Sequence, residues 1–139
     1  MLRGEFEDAG ETTPDELLSA YGRVLQETLE ASAAEERAEI DADAIRGVRE
    51  EDPGALSLTD AASILALDPD RPDGETIAAE ARDVLLMGMT TAVLDVETLA
   101  SAVEDELDPK EIQQKIEGRF PMTLSEYALL HHTIAARTV

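Results

Sequence analysis

The sequence predicts an all-α protein, a compact helical domain of two similar halves. Three observations point to this fold class. Apolar residues recur at helical spacing over much of the chain, capping boxes open several of these stretches, and no stretch shows the alternation of a β-strand. At 139 residues, without any cysteine, the chain is long enough to bury a core that needs neither a disulfide nor a metal.

The first half is predicted to cover residues 13–67, after a mobile N-terminal segment over residues 1–12. Its first helix begins at the capping box that starts with Thr13, and Pro14 occupies the first helical position. The apolar residues that follow at helical spacing are Leu17, Leu18, Tyr21, Val24, Leu25 and Leu29. Further along, Asp41 is predicted to cap a short helix and Ser57 to open an apolar one.

A linker turn over residues 68–73 is predicted to join the halves, because two prolines and an aspartate precede a helix there. The second half covers residues 74–139 and opens with a long helix near Asp73. The residues that this helix is expected to bury are Ile77, Ala81, Val84, Leu85 and Met89.

The two halves resemble each other in sequence. The segment from Ile40 to Leu65 aligns with the segment from Leu107 to Leu130. The aligned pairs include Asp41 with Asp108, Ile45 with Ile112, and Ser57 with Thr123. Two copies in a chain of this length predict a pseudo-symmetric domain and not a solenoid, which needs at least three repeats.

The charge is strongly acidic and unevenly distributed. The chain holds 32 acidic and 11 basic residues, a net charge of -21. At molar salt the Debye length falls to about 3 Å, so the repulsion among the acidic side chains is largely screened. The composition therefore favours a protein adapted to a salty cytoplasm. Residues 110–139, in contrast, carry three acidic and four basic residues. A near-neutral end on an acidic body predicts a face that meets nucleic acid or another protein.

The sequence offers no residues for catalysis, and we predict a non-enzymatic protein without a cofactor or a metal. The adjacent pair His131-His132 points in two directions on a helix, so we expect one packed and one solvated imidazole. A glycine-rich phosphate loop and a nucleophile with a neighbouring base are both missing. Apolar runs are too short to span a bilayer, and no signal peptide is recognisable, which favours a cytoplasmic protein without a membrane partner.

The run LASAVEDELDPKEIQQKIEGRFPMTLSEYALLHHTIA, within residues 97–136, resembles the helix-turn-helix core of Cro/C1-type repressors. The resemblance implies a first helix, a tight turn and a second helix that enters the major groove of DNA. Leu99 and Ala102 would lie on the first helix, and Asp108 would cap the second. Glu106 would take the turn position that glycine usually holds, with a positive φ.

Helical geometry predicts which side chains the second helix would present to DNA. With Ile112 and Ile116 turned inward, Lys110 and its neighbours point outward, while Lys115 lies on the flank. Glutamine can bond adenine through two hydrogen bonds, and lysine can reach phosphate or guanine. The residues predicted to contact double-stranded DNA are Lys110, Gln113, Gln114, Lys115 and Arg119.

Two functions remain open at this point. One is a DNA-binding regulator, and the alternative is a helical protein-interaction or scaffold module that does not contact nucleic acid. The helix from Ala81 to Leu94 is apolar nearly all round, as expected of a core helix or of a homodimer interface. The chain as a whole resembles a family of short acidic proteins from halophilic archaea that has no assigned function. The resemblance runs through ARDVLLMGMTTAVLDVETLAS and PKEIQQKIEGRFPMTLSEYALLHH, and it implies a salty cytoplasm without adding an activity.

Overall fold

The structure, a computed structural model, describes residues 8–104 and 106–137, and over these residues it is all-helical, as predicted. Apart from one isolated β-bridge, the described residues form no β-structure. A short 3-10 helix at Ala9–Glu11 comes first. The α-helices are α1 Pro14–Ala31, α2 Ala34–Arg37, α3 Ala42–Arg49, α4 Leu58–Leu65, α5 Gly74–Ala92, α6 Val96–Ala102, α7 Pro109–Ile116 and α8 Leu124–Arg137.

The core forms where α8 packs against α1, α4, α5 and α6. Each long helix contributes a buried stripe at four-residue spacing, the pattern of one helical face. In α1 the stripe is Leu17, Tyr21, Leu25 and Leu29, whereas Leu18 and Val24 are half-buried. In α5 it is Ile77, Ala81, Leu85 and Met89, with Val84 half-buried. The spacing thus predicted the buried face of each helix. Leu18, Val24 and Val84 are half-buried because they lie at the edge of that face.

Helix α5 approaches α8 closely at Gly88. A Cβ atom at this position would lie 2.6 Å from Cγ2 of Ile134, well inside van der Waals contact. The absence of a side chain therefore sets the distance between the two helices.

The helices begin at the residues that the capping signals predicted. Thr13 accepts a hydrogen bond from the Glu16 amide at 3.1 Å, and Asp73 accepts one from the Thr76 amide at 2.8 Å. Ser57 does the same for the first turn of α4. Each side-chain oxygen satisfies an amide that has no partner within its own helix.

The starts of α4 and α8 are joined by an antiparallel β-bridge between Ser57 and Thr123. The Leu58 amide donates to the Met122 carbonyl at 2.8 Å, and the Leu124 amide donates to the Leu56 carbonyl at 2.7 Å. Ser57 and Thr123 are the two residues that the sequence alignment paired. The similarity of the two halves, over residues 13–67 and 74–139, stays a prediction.

The buried face of α3 differs from the face that the alignment implied. Ala44 and Val48 are buried, whereas Ile45, aligned with Ile112 of α7, is only half-buried. In α7 the buried residues are Ile112 and Ile116, which lie one position later relative to the N-cap. The two short helices are therefore rotated relative to their caps by one residue.

The N-terminal segment is packed from its eighth residue onward. Ala9 is fully buried, and Gly10 lies so close to α8 that a Cβ atom would meet the Ala135 backbone at 2.7 Å. Small side chains thus let residues 8–12 lie against α8, whereas residues 1–12 were predicted to be a mobile segment. Residues 1–7 of that predicted segment lie outside the described residues.

The histidine pair is split between the interior and the edge of the fold. His131 is buried as expected, but His132 is half-buried, and its Nδ1 lies 2.9 Å from the Ala9 carbonyl oxygen. The expectation that one imidazole would be solvated was therefore wrong, because the packed N-terminal segment covers it.

Candidate functional site

Helix α7, the predicted DNA-reading helix, begins and packs as the sequence indicated. The Asp108 side chain accepts a hydrogen bond from the Glu111 amide at 2.8 Å, and Pro109 is the first helical residue. Ile112, Ile116 and the preceding Leu107 are buried. These contacts fix the side of α7 that faces solvent.

The turn before α7 has a different conformation from the predicted one. The residue with a positive φ is Glu104, at 56°, and not Glu106. Glu104 follows the end of α6, and its amide donates to the Ser101 carbonyl at 3.1 Å. The backbone therefore reverses at the end of α6, two residues before the position that the helix-turn-helix resemblance implied. Asp105 lies outside the described residues.

Two of the predicted DNA contacts, Lys110 and Gln113, are exposed on α7, and Gln114 is half-buried. The Gln113 amide nitrogen lies 3.2 Å from a carboxylate oxygen of Glu117, one helical turn further on. Arg119 is also exposed, but its guanidinium lies 2.8 Å from the other oxygen of the same carboxylate. Glu117 therefore binds two of the side chains that were predicted to contact DNA.

Lys115 connects α7 to α8 instead of pointing to solvent. Its side chain is only 16% exposed; the ammonium group forms an ion pair with Glu126, and Glu111 lies 3.7 Å away. Glu126 in turn accepts a hydrogen bond from the Thr123 amide at 2.9 Å and so caps α8. Burial alone would raise the pKa of Glu126, but the hydrogen bonds from Lys115 and the Thr123 amide outweigh it and hold the pKa below its usual value.

The surface charge around α7 is balanced. From Asp108 to Arg119 the chain holds three acidic and three basic residues. Since phosphate binding depends on a local excess of positive charge, this segment offers little electrostatic attraction for DNA.

A second surface lies on α5, where the same helix shows a buried and an exposed apolar side. Opposite the buried stripe, Leu86 is 44% exposed and Met87 58% exposed, and Val93 just after the helix is 89% exposed. Thr90 lies between them and is exposed as well. We call Leu86, Met87, Thr90 and Val93 the α5 face.

The α5 face lies in a stretch without charge. Residues 84–94 contain no acidic or basic side chain, and Asp83 and Asp95 bracket them. In a chain in which 31% of residues are charged, an exposed helical segment of this composition is unusual. One side of the stretch from Ala81 to Leu94 lies in the core, while its predicted role as a homodimer interface stays a prediction. The other side is exposed and holds Leu86, Met87 and Val93 beside two threonines.

Val93 ends α5 in a left-handed backbone conformation, with φ 56° and ψ 51°. The amide of the next residue, Leu94, donates to the Met89 carbonyl at 2.9 Å, a helix-ending arrangement that normally uses glycine. For a β-branched residue this conformation is strained, by about 1–2 kcal/mol. Neither the strain nor its position was predictable from the apolar pattern.

The corner between α7 and α8 adjoins the start of the α5 face. Arg82, one helical turn before Leu86, donates from Nε to the Lys115 carbonyl at 3.3 Å. Its side chain also lies against Gly118, which has a φ of 82°. Phe120, two residues later, is 51% exposed.

The interior holds a polar aromatic cluster that the sequence did not reveal. The Tyr21 hydroxyl lies 2.5 Å from Nδ1 of His131, and Tyr127 donates to the Ala81 carbonyl at 2.9 Å. Burial lowers the pKa of His131 to about 3, so the imidazole is neutral at neutral pH. Tyr21 and His131 are 110 residues apart in the chain, so no local signal pairs them.

Among the described residues, no group of three or more His, Asp or Glu side chains is arranged to hold a metal ion. A surface cleft of about 300 Å³ lies between α1 and the α3–α4 loop, and its charged members, Arg23 and Glu51, are both exposed. Over the same residues, no single helix is long and apolar enough to cross a membrane. Only α5 and α6 taken together, which meet at 96°, reach that length and composition.

Comparison with known proteins assigns a family without a known activity. No curated protein and no solved structure gave a significant match to the chain. A model for a family of unknown function, DUF5791, matches residues 17–137, which include all eight α-helices apart from the first turn of α1. The chain is therefore a member of the family of unknown function DUF5791.

Proposed function

We propose that this protein is a non-enzymatic interaction module that binds another protein chain through the α5 face. The observation that carries the proposal is the absence of charge from residues 84–94, where large apolar side chains are exposed. The rest of the chain carries a net charge of -21, and its surface is acidic apart from the balanced charge around α7. An apolar patch bordered by charged residues is the usual mark of a protein–protein contact.

The energetics support a docking role for this face. Fully burying a Val, Leu or Met side chain that was exposed contributes about 1.5–3 kcal/mol each. Leu86, Met87 and Val93 together therefore offer several kcal/mol to a partner that covers them. They lie within two helical turns, so one partner element is enough to cover all three.

High salt strengthens the argument for an apolar contact. We infer from the acidic composition that the protein works in a salty cytoplasm, where charge–charge attraction is screened within about 3 Å at 1 M salt. Exclusion of kosmotropic salts from apolar surface, in contrast, strengthens apolar burial. A binding surface that relies on Leu, Met and Val suits such a solvent.

A photo-crosslinking experiment in the host tests the proposal. A photoreactive amino acid replaces Leu86, and a matched variant carries it in place of Ala55, an exposed residue of the α3–α4 loop. We expect a discrete crosslinked product from position 86 and none from position 55. Equal yields from the two positions, or no product from either, would contradict a docking role for the α5 face.

A DNA-binding regulator is the second candidate, favoured by the placement of α7. Asp108 caps this helix, Ile112 and Ile116 face inward, and Lys110 is exposed, as the helix-turn-helix resemblance implied. The balanced charge and the ion pairs of Lys115 and Arg119 weigh against it.

Crosslinking followed by immunoprecipitation and sequencing of the recovered DNA tests this candidate. Discrete peaks that disappear in a Lys110→Ala/Gln114→Ala variant would support DNA reading by α7. A flat profile for the unaltered chain would exclude it.

A further inference from the structure

We propose that the chain consists of two equivalent four-helix units, α1–α4 and α5–α8, and that the second unit alone carries the interaction surface. The inference rests on the proposed function, because it concerns the same α5 face. Three sets of observations support it: the local structure of the two units, the contacts between them, and the outward faces of their long helices.

Both units begin with the same turn and the same long helix. The Glu11 amide donates to the Asp8 carbonyl at 2.8 Å, and 60 residues later the Arg71 amide donates to the Asp68 carbonyl at 3.1 Å. The N-caps of α1 and α5 are likewise 60 residues apart. Every residue of the buried stripe of α1 has its counterpart 60 residues later in the stripe of α5. The N-terminal turn that packs on α8 is therefore the counterpart of the turn that joins α4 to α5.

The last helix of each unit is also built alike. Helices α4 and α8 follow the bridged residues Ser57 and Thr123, which are 66 residues apart. Each buried residue of α4 has a buried counterpart 66 residues later in α8, and these residues of α4 are Leu58, Ala61, Ala62, Ile64 and Leu65. The preceding loops share a positive φ, 59° at Glu51 and 82° at Gly118, ten residues after each capping aspartate. Matching burial and backbone conformation at nearly constant spacing indicate a duplicated unit.

The contacts between the units follow a twofold axis at the β-bridge. Helix α1 packs against α8 and α4, and α5 packs in the corresponding way against α4 and α8. Within the units, α1 contacts α3 and α5 contacts α7. The bridge is reciprocal as well, because each strand donates one amide to the other. A twofold arrangement requires that every contact is repeated with the two units interchanged. The long helix of each unit therefore covers the last helix of the other, and the two units share one core.

The outward faces of the two long helices differ, although their positions correspond. The counterparts of Leu86, Met87 and Thr90 on the α5 face are Gln26, Glu27 and Glu30 of α1. Glu27 and Glu30 are exposed, and the Gln26 amide nitrogen lies 3.4 Å from a carboxylate oxygen of Glu30. The equivalent site in the same fold is thus occupied by polar and charged side chains. The architecture does not require apolar residues there, so those on α5 serve a contact that α1 does not make.

Distances between spin labels test the twofold arrangement in the full chain. The sequence contains no cysteine, so labels attach only at introduced ones. The exposed sites are Glu27→Cys on α1, Thr59→Cys on α4, Met87→Cys on α5 and Ser125→Cys on α8. We expect the distance from position 27 to position 125 to equal that from 87 to 59, and the distance from 27 to 59 to equal that from 87 to 125. Differences larger than the width of the distance distributions would overturn the inference, whatever the α5 face binds.

Exchange of equivalent residues tests the assignment of the interaction surface to the second unit. Met87→Glu/Thr90→Glu gives α5 the side chains of α1, and the control Glu27→Met/Glu30→Thr gives α1 those of α5. Because the equivalent helix carries these side chains, we expect both melting temperatures to stay within about 4 °C of the unaltered chain. With the photoreactive residue at position 86, the crosslinked product should fall at least about tenfold in the first variant and stay unchanged in the control.

The outcomes distinguish a failure of the inference from a failure of the proposed function. Undiminished product from a stable Met87→Glu/Thr90→Glu chain, or an equal loss of product in the control, would overturn the assignment to the second unit. A melting temperature lower by more than about 10 °C would mean that the fold itself needs the apolar residues, which also overturns the inference. Equal distances without product from any chain would support the duplication but overturn the docking role and its assignment.

Discussion

Acidification from pH 7 to pH 5 should destabilise the protein through one buried imidazole, that of His131. Burial lowers the pKa of His131 to about 3 in the folded chain, whereas the unfolded value is about 6.5. Between these values the unfolded chain binds a proton that the folded chain does not. Stability from this residue is therefore fully present above pH 6.5 and is lost as the pH falls towards 3.

The size of the effect follows from the separation of the two pKa values. Each pH unit within that window changes the free energy of unfolding by about 1.4 kcal/mol. At pH 5, about 1.5 units below the unfolded pKa, His131 should therefore destabilise the fold by about 2 kcal/mol relative to neutral pH.

The measurement is urea unfolding at pH 7 and pH 5, followed by far-UV circular dichroism, on three chains. The first is unaltered, the second carries Tyr21→Phe, and the third carries Tyr21→Phe with His131→Leu. The second chain keeps a buried imidazole and should keep the pH dependence, although it loses the hydrogen bond to Nδ1. In the third chain the free energy of unfolding should fall by about 2 kcal/mol less between pH 7 and pH 5, because the imidazole that takes up a proton on unfolding is gone.

Comparison between variants removes the contribution of the many carboxylates, which are the same in all three chains. Parallel pH dependence in the second and third chains would refute the reasoning. It would mean that the His131 imidazole accepts a proton within the folded protein.

Three further changes test the packing. Lys115→Met should lower the free energy of unfolding by about 1–3 kcal/mol, because the Glu126 carboxylate stays half-buried without its cation, and urea unfolding measures the loss. Gly88→Ala should destabilise the fold by about 1–3 kcal/mol, since the new methyl group overlaps Ile134. In the double variant Gly88→Ala/Ile134→Ala, the loss of stability should be smaller than the sum of the two single losses. Thermal unfolding measures the stability of the variants. Ile112→Ala should cost about 2–5 kcal/mol through a cavity beneath α7, and an unchanged midpoint would mean that α7 is not part of the cooperative core.

Helix positions were predictable because their signals are local. A side chain such as Asp108 that caps a helix acts on an amide three residues away, so both partners appear in one short stretch. The buried stripe of α5, from Ile77 to Met89, follows from spacing alone. The helical architecture agrees with these local predictions.

The candidate site was only partly predictable, because its decisive contacts are distant in the chain. Lys115 was expected on the flank of a DNA-reading helix, but it binds Glu126 on the following helix. Its exposure depends on how α7 and α8 meet, which no spacing rule specifies. The left-handed conformations of Val93 and Glu104 were missed for a related reason. Residues other than glycine take this conformation only where the surrounding structure holds them in it.

The β-bridge between Ser57 and Thr123 has a consequence for synthesis on the ribosome. The Leu58 amide and the Leu56 carbonyl acquire their partners only when residues 122–124 have emerged. Until then the segment before α4 lacks the backbone partners of the β-bridge, and α1 lacks the surface of α8 against which it packs. Before α8 emerges, α1 can pack against α3 and α4, but the part of its apolar side that contacts α8 stays exposed on the nascent chain.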